Sequence, residues 1–280
     1  MDLQAVRKTV SKIKSNLFKK SNSHSIGILK SQFRGIGLQF KEHQVYNLGD
    51  EVRFIDWKIL AKTGTPFIKT FEEERNVEIV MVIDAGATML YGHNGISKLQ
   101  AAIELCCLYY LLAEDTHDLI HTIILSNEII NLPKKSGEQG ISILIAALQE
   151  KGIMNSNGKI RTDLIFKDSL SNEVKTANLM KYLKRNKEII FVSDYIDFLD
   201  KSILQRMAYR RNVHGYRILA PLDKSTRLPF VVNFDDGSGK NIYGKLDTIQ
   251  DKVVDDIFGK KFKKIEVDKS YLDIIAKELA

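Results

Sequence analysis

The run Glu78–Asp84, EIVMVID, constrains this chain more than any other segment. Its apolar stretch has strand length and no polar face. A strand of that kind has to be covered on both sides, as in a parallel sheet flanked by helices. Glu188–Ser193 (EIIFVS) repeats the pattern and ends at Asp194, and Leu119–Leu125 (LIHTIIL) and His214–Leu219 read as further strands. Between them lie segments of helical length: Lys98–Ala113, Ile141–Gln149, Glu173–Arg185 and Lys201–Arg211. Strands alternating with such helices imply βαβ units. The expected fold is therefore α/β, with a doubly wound and mostly parallel sheet. Glu128–Leu132 reads as a short extra strand. Phe230–Phe234, the turn Asp235-Asp236-Gly237 and Asn241–Tyr243 read as a small β-hairpin at the sheet edge. Val253–Phe258 and Tyr271–Leu279 read as closing helices.

Charge divides the chain. Its net charge is +7, and residues 1–34 carry eight Lys/Arg against one Asp, which accounts for all of it. The rest is neutral, which argues against a nucleic-acid-binding body with a broad basic face. Leu3, Val6, Val10, Ile13 and Leu17 form one helical stripe opposite these cations. Residues 1–37 are thus expected to be a basic amphipathic helix and loop arm, and residues 38–280 one α/β domain. Two readings of residues 1–20 stay open, peripheral contact with an anionic membrane surface and packing against the domain itself. No apolar run approaches the ~18 residues of a membrane span, and a secretory signal is not apparent. Cys106 and Cys107 are adjacent and read as buried apolar residues, not as a disulfide or metal framework. The expected compartment is the cytoplasm.

Candidate chemistry gathers at strand ends, where open α/β sheets bind ligands. The first end gives Asp84-Ala85-Gly86-Ala87-Thr88 and the second Ser193-Asp194, with Arg161-Thr162-Asp163 in a loop between. Carboxylates and hydroxyls of this kind suit Mg²⁺. Asp84 and Asp194 can equally serve as caps of the helices that follow. Upstream, Asp50, Arg53 and Asp56 are expected either to lock a loop through ion pairs or to act as acid/base groups.

Tyr46–Trp57 resembles the signature Y-x-x-G-D-x-x-R-x-I-D-W of the family known as domain of unknown function 58, with Tyr46, Gly49, Asp50, Arg53, Ile55, Asp56 and Trp57 in place. The likeness continues through Ala61-Lys62-Thr63-Gly64, Pro66, Lys69, Phe71, Glu73, Glu74 and Arg75, and then Asp84, Thr162-Asp163-Leu164 and Ser193–Asp197, covering about Ser25 to Asp247. The resemblance implies a von Willebrand factor A-like fold. It also implies work beside a MoxR-type AAA+ ATPase in chaperone-like assembly or activation of client proteins. The fold's metal-ion-dependent adhesion site, D-x-S-x-S, maps onto Asp84, Gly86 and Thr88, with Thr162 and Asp194. It is degenerate at Gly86, which has no hydroxyl. The expectation is a non-enzymatic protein-binding adaptor with Mg²⁺ as its candidate cofactor. The alternative is a haloacid dehalogenase-like, Mg-dependent phosphohydrolase using Asp84, whose D-x-D-x-T motif is also broken at Gly86.

Overall fold

A computed structural model describes residues 1–20, 39–47, 50, 52–72, 78–164, 171–184, 187–196, 198–210, 212–224, 227–235, 241–247, 257, 262–268 and 270–279. The chain opens with helix α1 (Leu3–Lys20), then β1 (Gln39–Val45), α2 (Trp57–Thr63) and β2 (Phe67–Glu72). There follow β3 (Glu78–Asp84), the short strands β4 (Gly92–His93) and β5 (Ile96–Ser97), α3 (Lys98–Thr116), β6 (Leu119–Leu125), β7 (Ile129–Asn131) and α4 (Gly137–Glu150). The second half contains α5 (Asn172–Met180), β8 (Glu188–Ser193), α6 (Lys201–Ala208), β9 (Val213–Leu219), β10 (Arg227–Asp235), β11 (Asn241–Asp247), β12 (Phe262–Glu266) and α7 (Tyr271–Leu279).

Six strands form the main sheet in the order β7-β6-β3-β8-β9-β12. All neighbours are parallel except β6 and β7. Counted along the chain this is the order 3-2-1-4-5-6 of doubly wound sheets, the architecture the sequence leads one to expect. Both faces of β3 are used. Ile79, Met81 and Ile83 pack in a core with Val6 and Val10 of α1, α3, and Tyr271 and Ile275 of α7. Val80 and Val82 pack in a second core with Leu179 of α5 and Leu204 and Met207 of α6. Two-sided burial explains why the run has no polar face.

The first half of the α1 stripe faces inward, since Val6 and Val10 are buried. On the outer face Arg7 pairs with Glu138 of α4 and Lys12 with Asp273 of α7. The Asp2 amide donates to Glu104 of α3, which also accepts the Tyr271 hydroxyl. No described helix is long and apolar enough to cross a membrane. Cys106 and Cys107 are free and buried on α3.

Several boundaries differ from the sequence reading. The hairpin expected at the sheet edge is β10–β11, which forms a two-stranded sheet of its own, and the edge beside β9 belongs to β12. The reason lies at Gly215, which pairs with Phe262. A Cβ on Gly215 would stand 2.0 Å from the Phe262 ring, so the missing side chain is what admits β12. Helices α5 and α6 end earlier than expected, at Met180 and Ala208. Beyond α6, the Arg210 guanidinium turns back to the Leu183 carbonyl beyond α5, at 2.9 Å. The arm loop, residues 21–37, lies outside the described residues, as does all of Val253–Phe258 but Ile257. Gly215→Val is expected to strip hydrogen-exchange protection from the Phe262–Glu266 amides while leaving β3 and β8 protected. Equal protection in both forms would show that Phe262 moves aside freely.

Candidate functional site

Strands β3 and β8 are neighbours, and the chain reverses its direction of growth across the sheet between them. Their carboxyl ends are therefore the topological switch point, where a crevice opens in sheets of this class. Ile83 pairs with Val192, so Asp84 and Ser193 emerge side by side. The Ser193 hydroxyl donates to Asp84 Oδ2 at 2.6 Å, and the Gly86 amide donates to Oδ1 at 2.9 Å. Burial pushes the Asp84 pKa up to about 7; the hydrogen bonds from Ser193 and Gly86 oppose that rise, and the charge of Asp194 reinforces it.

Adjacent strand residues normally point to opposite faces. Here Tyr195 takes a left-handed conformation, φ 65°, just beyond the strand. That conformation costs roughly 1–2 kcal/mol for a residue with a Cβ. It is held by the Tyr195 amide, which donates to Ser193 Oγ at 2.8 Å, and by edge-on packing of its ring against Phe198 and Phe262. The resulting turn brings the Ile196 amide back onto Asp194.

Asp194 is 1% exposed and meets three groups. The Thr88 hydroxyl and the Ile196 amide donate to Oδ1 at 3.2 and 2.9 Å. The Lys98 ammonium donates to Oδ2 at 2.7 Å. Lys98 also reaches Asp223 Oδ2, at 3.1 Å, and the Ala220 amide donates to that same oxygen. Lys98 is 2% exposed, which is rare for lysine unless it is paired. The sequence reading missed both Lys98 and Asp223. One clue was available. Lys98 is the first residue of α3, with Ser97 as its N-cap, and a cation there opposes the helix dipole unless anions hold it.

The structure thus joins Asp84, Thr88 and Asp194 in one cluster but not Thr162. Thr162 is exposed and lines a cavity of about 470 Å³ with Met1, Leu90, His93 and Ser97. This donor set does not fit Mg²⁺. Both Asp84 oxygens already accept hydrogen bonds, and an ammonium group stands against Asp194. A Cβ at Gly86 would lie 3.1 Å from Asp84 Oδ1, so an oxygen-bearing side chain there would crowd that carboxylate. Among the described residues, no group of three or more His, Cys, Asp or Glu side chains is placed to hold a metal ion.

The signature segment has a different task. Gly49, Glu74 and Arg75 lie outside the described residues. The Tyr46 amide donates to the Pro66 carbonyl, Asn47 and Asp50 close a local turn, and Ile55 bridges to Ile68. Arg53 lies over the Phe54 ring at 4.8 Å, and Trp57 is 62% exposed. The carboxylate that locks the segment is Asp56. Its Oδ1 caps α2 by accepting from the Lys58 and Ile59 amides, and its Oδ2 meets His43 and Lys69, each at 3.1 Å. His43 above all, then Lys69 and the two amides, hold the Asp56 carboxyl well below the usual carboxylate range. A depressed folded pKa gives stability that is present above that range and lost as the pH falls. Asp56→Ala is therefore expected to lower the thermal midpoint by a few degrees at neutral pH and by less in acid. An equal loss at both would remove the charge from this account.

The chain is 22% identical over 191 residues to uncharacterized protein Mb1516 of Mycobacterium bovis and to uncharacterized protein Rv1480 of Mycobacterium tuberculosis. The match takes in 68% of this chain and 57% of each relative, so the chain spans little more than half the length of these relatives. Among solved structures it is similar to the conserved hypothetical protein BatB from Bacteroides thetaiotaomicron, at 16% identity and a TM-score of 0.43, over 72% of this chain and 97% of that one. It is also similar to the SpRpn10 VWA domain, at 13% identity and a TM-score of 0.39, over 72% and 94%. Over residues 42–258 the chain matches the family described as Protein of unknown function DUF58, and it belongs to that family.

Proposed function

We propose that this chain is a cytoplasmic, non-catalytic recognition module that works beside a MoxR-type AAA+ ATPase and takes hold of a partner or client protein at the Asp84–Lys98–Asp194 crevice. One observation carries the reading. Carboxylates from the end of β3 and from just beyond β8, with a cation from α3, converge at the switch point, the place where sheets of this order receive ligands. The haloacid dehalogenase-like alternative asks Asp84 for an oxygen free to attack phosphorus. That chemistry also needs a second carboxylic acid two residues further on as general acid/base, and Gly86 stands there instead.

The test is binding of the full chain to a MoxR-type ATPase from the same organism, by titration calorimetry, with Asp84→Ala alongside. A complex weakened about tenfold or more by the substitution, roughly 1.4 kcal/mol, is the expected result. An equally tight complex would move the contact elsewhere, for instance to the exposed Trp57 surface. Turnover of a generic phosphate ester that disappears in Asp84→Asn would replace the adaptor reading with the hydrolase.

A further inference from the structure

We infer that Lys98 is the resident cation of this crevice: its ammonium group supplies the positive charge that a divalent ion would otherwise bring, so the crevice is assembled and works without metal. The inference concerns the charge balance of the site and does not depend on which partner binds there.

Three independent observations meet at this residue. The first is what it bridges. One ammonium stands 2.7 Å from Asp194, just beyond β8, and 3.1 Å from Asp223, in the turn beyond β9. Tying carboxylates from separate loops is the work a bound divalent ion does. The second is its burial. The side chain is 2% exposed and that of Asp194 is fully buried, so both charges have left water and each depends on the other. The third is where it starts. At the first position of a 19-residue helix the local dipole repels a cation, so the carboxylates hold Lys98 there against the helix. Its placement is also built from behind. The Lys98 amide donates to the Tyr91 carbonyl at 2.8 Å, which closes the β4–β5 hairpin and fixes where α3 begins.

The arrangement also accounts for the departure at Gly86. The adhesion-site motif places a hydroxyl oxygen at that position, which Gly86 lacks. An ammonium group carries its own charge and needs only acceptors, which Asp194 and Asp223 provide.

The experiment uses the full chain and thermal unfolding followed in excess chelator, in millimolar Mg²⁺ and in millimolar Mn²⁺. A ligand bound only by the folded state raises the midpoint. The expected midpoint of the natural sequence is the same in all three. Lys98→Met, which keeps the length and removes the charge, is expected to lower the midpoint strongly. Adding Asp194→Asn and Asp223→Asn to it is expected to recover most of the loss, because the stranded carboxylates are then gone. Where Lys98→Met alone does not yield folded protein, the triple variant's return to a cooperative melt is the same readout. A rise of the natural protein's midpoint with either ion overturns the inference. So does a triple variant that recovers nothing.

Discussion

Asp194→Ala is expected to cost the fold about 3–5 kcal/mol, the usual loss when one partner of a buried ion pair is removed. The Lys98 ammonium would remain 2% exposed with only Asp223 beside it, and Asp223 keeps 23% of its side chain in water. The Thr88 hydroxyl and the Ile196 amide would lose their acceptor at the same time. Each group left unmade in the interior adds its own desolvation cost. For a chain of this size the thermal midpoint should fall on the order of 10 °C. Asp194→Asn keeps an acceptor for Thr88 and Ile196 and should lose less. Asp194→Leu should do no better than alanine, because the unpaired cation and not the cavity dominates. Equal losses for Asn and Ala would mean that the lost charge alone sets the cost, since Asn keeps both the volume and an acceptor. Buried ion pairs give little net stability against apolar replacements of the same volume. The pair is thus costly to break without being the reason the fold stands.

Phe191→Ala should destabilise by a similar amount, about 3–5 kcal/mol, by a different route. Phe191 is fully buried in the second core, with its ring edge-on to Phe198 at a centroid distance of 5.7 Å. It sits on β8 between β3 and β9, and its carbonyl accepts from the Tyr195 hydroxyl. Truncation opens a cavity directly beneath the turn that aims Ser193 and Asp194. The loss should appear in the denaturation midpoint with the slope unchanged, and Phe191→Leu should restore part of it. A Phe191→Leu variant no better than alanine would place the cost in the aromatic contact and not in volume.

The sheet was legible because its inner strands are so one-sided in composition. EIVMVID and EIIFVS leave a chain little choice beyond a buried strand, and the aspartates after them mark the switch point. Strands with mixed composition escaped notice. FKKIE of β12 carries two lysines at an edge, and β1 (QFKEHQV) and β2 (FIKTFE) interleave charges with apolar residues. The crevice was half legible. Asp84, Thr88 and Asp194 were placed by strand ends, whereas Lys98 and Asp223 are separated by 125 residues and joined only through the fold. Thr162 shows the converse. Order along the chain matched a ligand position, and the folded loop places it on the cavity lined by Leu90 and Ser97 with no hydrogen bond to Asp84, Thr88 or Asp194. Asp56 read as one member of a charge cluster, and only the tertiary pairing with His43 and Lys69 shows which partners it keeps.

Helix α3 begins at Lys98 and carries Cys106 and Cys107 on its buried side. Burial pushes the Cys106 thiol up to about 12 and that of Cys107 well above its ordinary value. Alkylation needs the thiolate, so neither sulfur can react while the helix is seated. The natural sequence therefore contains a clock for its own opening. Where reclosing is faster than alkylation, the rate of thiol modification counts the molecules in which this helix has left the sheet. Because the same helix holds Lys98, that clock also reports on whether the Lys98–Asp194 pair is in place.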